Sequence, residues 1–105
     1  MNVFWTEAAL SQLQAIHDYI SHTSPEYASR MIDRLTKRSI QIAEFPYSGR
    51  VVPEYELNEV REVLESPYRI IYSVNPEQLQ VEVLAVVHGA RSHPGLFGDQ
   101  VDLIE

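Results

Sequence analysis

Three arginines and a histidine are the residues of this chain best suited to chemistry. Arg61, Arg69, His88 and Arg91 lie in or next to stretches rich in valine, isoleucine and leucine. Burying an unpaired charge among such residues is costly, so Arg69 in particular must be exposed or paired with an acid. Arginine binds carboxylates and phosphates, and histidine can transfer a proton. These four residues are therefore the predicted binding residues.

No metal site and no cofactor are predicted. His88 and His93 are the best pair of possible metal ligands, but no third ligand occurs at a suitable spacing. The chain has no cysteine, which removes disulfides, thiolate metal sites and cysteine nucleophiles. We therefore expect a function that uses neither a metal nor a cofactor.

The composition is that of one small globular domain. Of 105 residues, 45% are hydrophobic and 22% are charged, and the net charge is −7. This acidity argues against broad binding to nucleic acid, which needs a basic surface. No apolar run reaches the roughly 20 residues of a membrane helix, and the N-terminus lacks the pattern of a secretory signal. We expect a cytoplasmic protein with no membrane partner.

The spacing of apolar residues predicts a strand, two helices and three further strands. Ser24 and Pro25 are typical of a helix start, and Phe45-Pro46 ends that helix. Because few residues join the two helices, they should pack as an antiparallel hairpin. The predicted fold class is α+β, in the order βααβββ, with the hairpin on one face of a small, mainly antiparallel four-stranded sheet. The predicted strands are residues 2–5, 58–65, 68–74 and 80–88, the first helix is 7–22, and residues 46–55 are a loop.

Two helices can cover only one face of the sheet, and we call the other the open face. Alternation along the strands predicts that the open face gathers Arg61, Arg69 and His88. Arg91 would turn back towards Arg69, with Glu65 or the acidic C-terminal residues neutralising the pair. A mostly apolar surface with a few convergent polar groups is the predicted site. Its apolar floor would consist of Val63, Ile71, Leu84 and Val86.

Four stretches of the sequence carry a resemblance to a known toxin family. They are FWTEAA, FPYSGR, VREVLESPYRIIYSV and VEVLAVVHGAR, which together span residues 3 to about 91. In these stretches the chain resembles the RelE/ParE superfamily of type II toxin–antitoxin toxins, and it is most similar to the ParE branch. The resemblance implies a toxin domain over residues 1–91, with residues 92–105 as a C-terminal extension of the same domain. It also implies a cognate antitoxin that binds and neutralises the toxin in a hetero-oligomer.

The resemblance leaves the cellular target open between two classes. RelE-type toxins cleave ribosome-bound mRNA without a metal, whereas ParE-type toxins inhibit DNA gyrase and are not regarded as nucleases. Arg69 and Arg91 match the RelE pattern, and Arg61 matches one of the other basic residues of that pattern. Val63 stands where a second basic residue is expected, and Phe97 stands where a tyrosine is expected.

These two departures favour a ParE-like inhibitor of DNA gyrase, of the plasmid-stabilisation type. The acidic net charge also suits a protein target better than ribosomal RNA. The alternative is an mRNA endoribonuclease in which Arg69 and Arg91 bind the phosphate and a histidine, His88 or His93, is the acid or base. A third possibility is an inactive toxin that acts as an interaction module.

Overall fold

The computed structural model describes residues 1–89, which contain two helices and five strands. No helix in this part of the chain is both long enough and apolar enough to span a membrane. The elements are β1 (Asn2–Trp5), α1 (Glu7–Ser21), α2 (Pro25–Glu44), β2 (Arg50–Val51), β3 (Val60–Glu65), β4 (Tyr68–Asn75) and β5 (Gln80–His88).

Both helices begin at the residues that the sequence predicts. The Thr6 hydroxyl accepts a hydrogen bond from the Ala9 amide at 3.1 Å, and Ser24 caps α2 in the same way. These side chains satisfy amide groups that have no partner within the helix. Thr6 also donates to the Val83 carbonyl at 3.0 Å, so the cap of α1 is tied directly to the sheet.

The sheet has the strand order β1-β5-β4-β3-β2. β1 lies parallel to β5, and the other neighbours are antiparallel. The α+β fold with a helix hairpin on the sheet is confirmed, but the sheet contains a fifth strand. Arg50 and Val51, predicted as loop, pair with Glu62 and Arg61. A two-residue strand is too short to show alternation, which is why the sequence pattern misses it.

The main core lies between the helices and one face of the sheet. Met31 and Leu35 of α2 and Ala9 of α1 are fully buried there. The sheet residues that pack beneath them are Val63, Tyr68, Ile70, Tyr72, Val74, Val81, Val83 and Val86. A smaller cluster lies on the open face, where Val52 and Tyr55 from the segment before β3 cover part of it. Its strand members are Val60, Ile71, Ala85 and Val87, with Leu84 packed against them.

A β-bulge reverses the face assignment in the second half of β5. Ile71 pairs with Ala85 while Tyr72 pairs with Val83, so Leu84 has no partner in the register. The inserted residue moves each later side chain of β5 to the opposite face. The prediction that Val86 lies on the open face is therefore wrong, and Val63 of β3 is also in the core beneath the helices.

Candidate functional site

Arg69 is buried on the open face and paired with an acid. Its side chain is 8% exposed, and its Nε donates to Glu62 Oε1 at 2.8 Å. The Nη2 group of Arg69 donates to the same oxygen. An arginine in such an apolar strand was expected to be either exposed or paired with an acid, and Arg69 is paired with an acid.

Glu62 is shared between two arginines. Its other carboxylate oxygen, Oε2, accepts a hydrogen bond from Nε of Arg50, the first residue of β2. Glu62 is only 3% exposed, whereas the Arg50 side chain is 70% exposed. The network therefore runs from the interior of the open face to solvent at the sheet edge, and its shared carboxylate neutralises one of the two positive charges.

Glu62 is a site residue that was not predicted from the sequence, although the strand register explains its position. Glu62 pairs with Ile71, and Arg69 pairs with Leu64 in the same ladder. The two charged residues are therefore diagonal neighbours on one face, close enough for long side chains to meet. The apolar pattern of β3 does not reveal the proximity of Glu62 and Arg69, because Val60, Val63 and Leu64 do not all lie on one face.

The short loop before β2 is fixed to the sheet by a buried tyrosine. The Tyr72 hydroxyl donates to the Pro46 carbonyl at 2.8 Å and accepts from the Gly49 amide at 3.1 Å. Burial raises the pKa of Tyr72, which keeps this hydroxyl protonated. A Cβ atom at Gly49 would lie 2.6 Å from the backbone oxygen of Glu62, so only glycine allows this approach. The loop is thus held against the residues that carry the arginine network.

A cleft of about 510 Å³ lies beside this network. Arg38 contributes from α2, and Gly89 contributes from the end of β5. The remaining lining residues are Ser48, Gly49, Arg50, Glu62, Val63, Leu64 and Arg69. The cleft therefore combines three guanidinium groups with one carboxylate, which suits an anionic group better than a cationic one.

Glu65 does not neutralise Arg69, contrary to one of the predicted arrangements. It accepts hydrogen bonds from Arg34 of α2 at 3.0 and 2.9 Å, and Arg38 lies 3.7 Å from its other oxygen. These contacts tie α2 to the end of β3. Glu65 therefore faces the helices, as expected for a residue two positions after Val63.

Arg61 stabilises a loop on the helix side of the sheet, away from the open face. It donates to the carbonyls of Asn58 and Gly49 at 2.8 and 3.0 Å, and its guanidinium lies 5.0 Å from the Tyr47 ring centroid. Arg61 pairs with Tyr72, whose side chain belongs to the core beneath the helices. The prediction that Arg61 joins Arg69 on the open face is therefore wrong.

His88 also lies on the opposite face from Arg69. It pairs with Tyr68, and the two rings make an edge contact with centroids 6.0 Å apart. Tyr68 belongs to the core beneath the helices, and burial raises its pKa. Arg69 instead pairs with Val87, which is on the open face. The bulge in β5 is the physical reason that the predicted grouping of His88 with Arg69 is wrong.

Arg91 and His93, together with Phe97, lie outside the described residues. Of the four predicted binding residues, the structure therefore places only Arg69 at the cleft. Within residues 1–89 no three histidine or acidic side chains are grouped so that they could hold a metal ion.

Comparison with known proteins identifies the family. A family model described as the ParE toxin of the type II toxin–antitoxin system parDE matches residues 3–93. The chain is 39% identical over 89 residues to the toxin RelE2 of Caulobacter vibrioides, which covers 85% of this chain and 96% of the relative. It is 33% identical to a putative toxin, Y4kP, of Sinorhizobium fredii, over 86% of this chain and 90% of the relative. The chain belongs to the ParE toxin family of type II toxin–antitoxin systems, within the RelE/ParE superfamily.

Solved structures show the same fold. A chain of the chromosomal ParDE system from P. aeruginosa superposes with a TM-score of 0.68 at 24% identity, covering 84% of this chain and 95% of that one. The isolated RelE toxin of E. coli superposes with a TM-score of 0.61 at 19% identity, covering 88% and 87%. At these identities the likeness shows the shared architecture of helix hairpin and sheet.

Proposed function

We propose that this toxin inhibits DNA gyrase without catalysing a reaction, and that a cognate antitoxin neutralises it. The observation that carries the proposal is the separation of Arg69 from His88 on opposite faces of the sheet. Cleavage of RNA by attack of the 2′-hydroxyl needs a proton acceptor and a donor positioned at the same phosphate that the cations bind. His88 does not meet that requirement for a phosphate held at Arg69.

The pairing of Arg69 supports the same function. Its guanidinium is buried and donates to Glu62, so a phosphate at this position would have to compete with a carboxylate already in place. The match to a model described as a ParE toxin favours the gyrase inhibitor as well. The family supports a cognate antitoxin, and the P. aeruginosa chain with the same fold belongs to a ParDE toxin–antitoxin system.

Two assays on the purified full chain test this proposal together. We expect inhibition of gyrase supercoiling or accumulation of cleaved DNA, with ribosome-bound mRNA left intact. His88→Ala should retain the inhibition, because His88 takes no part in the proposed function. His22→Ala is the matched control, since His22 lies at the end of α1, where its Nδ1 donates to the Asp18 carbonyl at 2.9 Å.

The alternative function, an mRNA endoribonuclease, is supported by the 39% identity to a relative that is named as a RelE toxin. Codon-specific cuts in ribosome-bound mRNA that disappear in His88→Ala but persist in His22→Ala would establish that alternative and refute ours. A chain that affects neither gyrase nor mRNA, and does not arrest growth, would be an inactive toxin. Growth arrest that is relieved by co-expression of the neighbouring small reading frame would confirm the antitoxin.

A further inference from the structure

The cleft beside β3 is surrounded by an excess of positive charge in a chain whose net charge is −7. Arg50 and Arg69 share Glu62, and Arg34 and Arg38 share Glu65. Within residues 1–89, the side chains that line the cleft itself carry three guanidinium groups and one carboxylate. An additional anion at the cleft would bring this group closer to neutrality, and arginine binds carboxylates with directional hydrogen bonds.

Arg50 is the arginine best able to receive such an anion. Its Nε is bound to Glu62, but 70% of its side chain is exposed. Its two Nη groups make no hydrogen bond within residues 1–89. A carboxylate could therefore accept from both Nη groups while the contact with Glu62 is kept, and that contact would hold the guanidinium in place. Binding an anion would cost little side-chain entropy at Arg50, because the ion pair with Glu62 already restricts the Arg50 side chain.

The rim of the cleft favours a peptide over a nucleic acid. Leu64 is 64% exposed, and it lies on the open face directly across from Arg69. An aliphatic side chain next to an acid could cover Leu64, whereas RNA has no aliphatic groups to place there. The net charge of −7 also repels a long polyanion more strongly than it repels a segment with one or two acidic residues.

We infer that this cleft binds an acidic segment of the antitoxin, with a carboxylate on Arg50 and a neighbouring aliphatic side chain on Leu64. The inference rests on the proposed function for the existence of the antitoxin, and it adds the chemistry of one contact. Arg38 provides a second positive charge on the α2 side of the cleft. Arg69 supports the site from beneath by holding Glu62 in position.

A pair of blocked hexapeptides tests the chemistry of the cleft. One alternates leucine and glutamate, and the other alternates leucine and glutamine. Each is titrated into the full chain labelled with nitrogen-15, and amide and arginine Nε signals are followed by NMR. We expect the glutamate peptide to shift the signals of Gly49, Arg50 and Leu64, and to bind about ten-fold more tightly than the glutamine peptide.

Variants locate the binding at Arg50. Arg50→Ala should weaken binding of the glutamate peptide about ten-fold, and Arg50→Lys should weaken it less, because lysine keeps the charge but not the paired donors. Arg30→Ala is the matched control, since Arg30 is an exposed arginine of α2 that lies over Tyr27. The melting temperature of each variant, compared with that of the wild type, checks that the variant is folded.

Three results would overturn the inference. The first is equal binding of the glutamate and glutamine peptides, and the second is unchanged binding to Arg50→Ala. The third is tighter binding at the same signals by an oligouridylate of equal length, which would make the cleft a nucleic-acid site. Capture of the antitoxin is measured separately with the same variants. If wild type and Arg50→Ala capture it equally, only this inference fails, whereas failure of the wild type to capture it refutes the proposed function.

Discussion

Removing the carboxylate of Glu62 should destabilise the protein more than the loss of any surface ion pair would. The substitution Glu62→Gln keeps the size of the side chain and removes its charge. The amide oxygen of glutamine still accepts hydrogen bonds, but Arg69 loses the charged partner of its Nε and Nη2 groups, and at 8% exposure water can replace that charge only poorly. Arg50 loses the same partner but is 70% exposed, so it can be hydrated at little cost.

The expected magnitude follows from this difference in exposure. Breaking a buried ion pair by removing one partner costs about 3 to 5 kcal/mol in the free energy of unfolding. For a chain of this size, about 3 kcal/mol corresponds to a fall of at least 10 °C in the melting temperature. Replacing both charges by apolar residues, as in Glu62→Leu with Arg69→Met, should restore most of the stability, because neither member of the pair is then buried without the other.

Urea unfolding of the wild type, Glu62→Gln, the single variants Glu62→Leu and Arg69→Met, and the double variant that combines the last two measures this coupling at neutral pH. Glu82→Gln is the matched control, because Glu82 is a strand glutamate that makes no ion pair within residues 1–89. We expect Glu82→Gln to change stability by less than about 0.5 kcal/mol. If the losses of the two single variants simply add in the double variant, then Glu62 and Arg69 do not stabilise each other and the reasoning is wrong.

Three further predictions concern the fold that positions the cleft. Tyr72→Phe should lower the free energy of unfolding by about 1 to 3 kcal/mol, because it leaves the buried Gly49 amide without an acceptor. Since the pKa of Tyr72 is raised in the folded state, the wild type should also lose stability as the pH rises above about 10, and the variant should lose less. Urea unfolding across alkaline pH measures both effects. Leu35→Ala, at a fully buried position of α2, should cost about 2 to 5 kcal/mol in the same assay, and a loss below 1 kcal/mol would show that the helix does not pack as described. Thr6→Ala should cost about 0.5 to 2 kcal/mol by removing the acceptor of the Ala9 amide, and faster hydrogen exchange confined to the first turn of α1 would confirm its local origin.

Local chemistry determined the parts of the fold that the sequence predicts well. Thr6 and Ser24 cap their helices through contacts three residues away, so their role can be inferred from neighbouring residues alone. Alternation within β4 places Tyr68, Ile70 and Tyr72 on the helix side, as predicted, because the inserted residue of the bulge lies in β5 and not in β4. The ordered motifs likewise indicated the family correctly without any knowledge of contacts.

Only the tertiary structure decided which charged residues meet. The bulge at Leu84 depends on how β5 pairs with β4, and it moves His88 away from Arg69. Glu62 becomes part of the site because β3, β4 and the two residues of β2 bring two arginines to its two carboxylate oxygens. The two-residue period of a strand determines which of its side chains share a face. The register between neighbouring strands determines which residues pair, and one inserted residue moves the side chains that follow it to the opposite face. The sequence therefore determined the family and the layers, while strand register selected the residues that form the cleft.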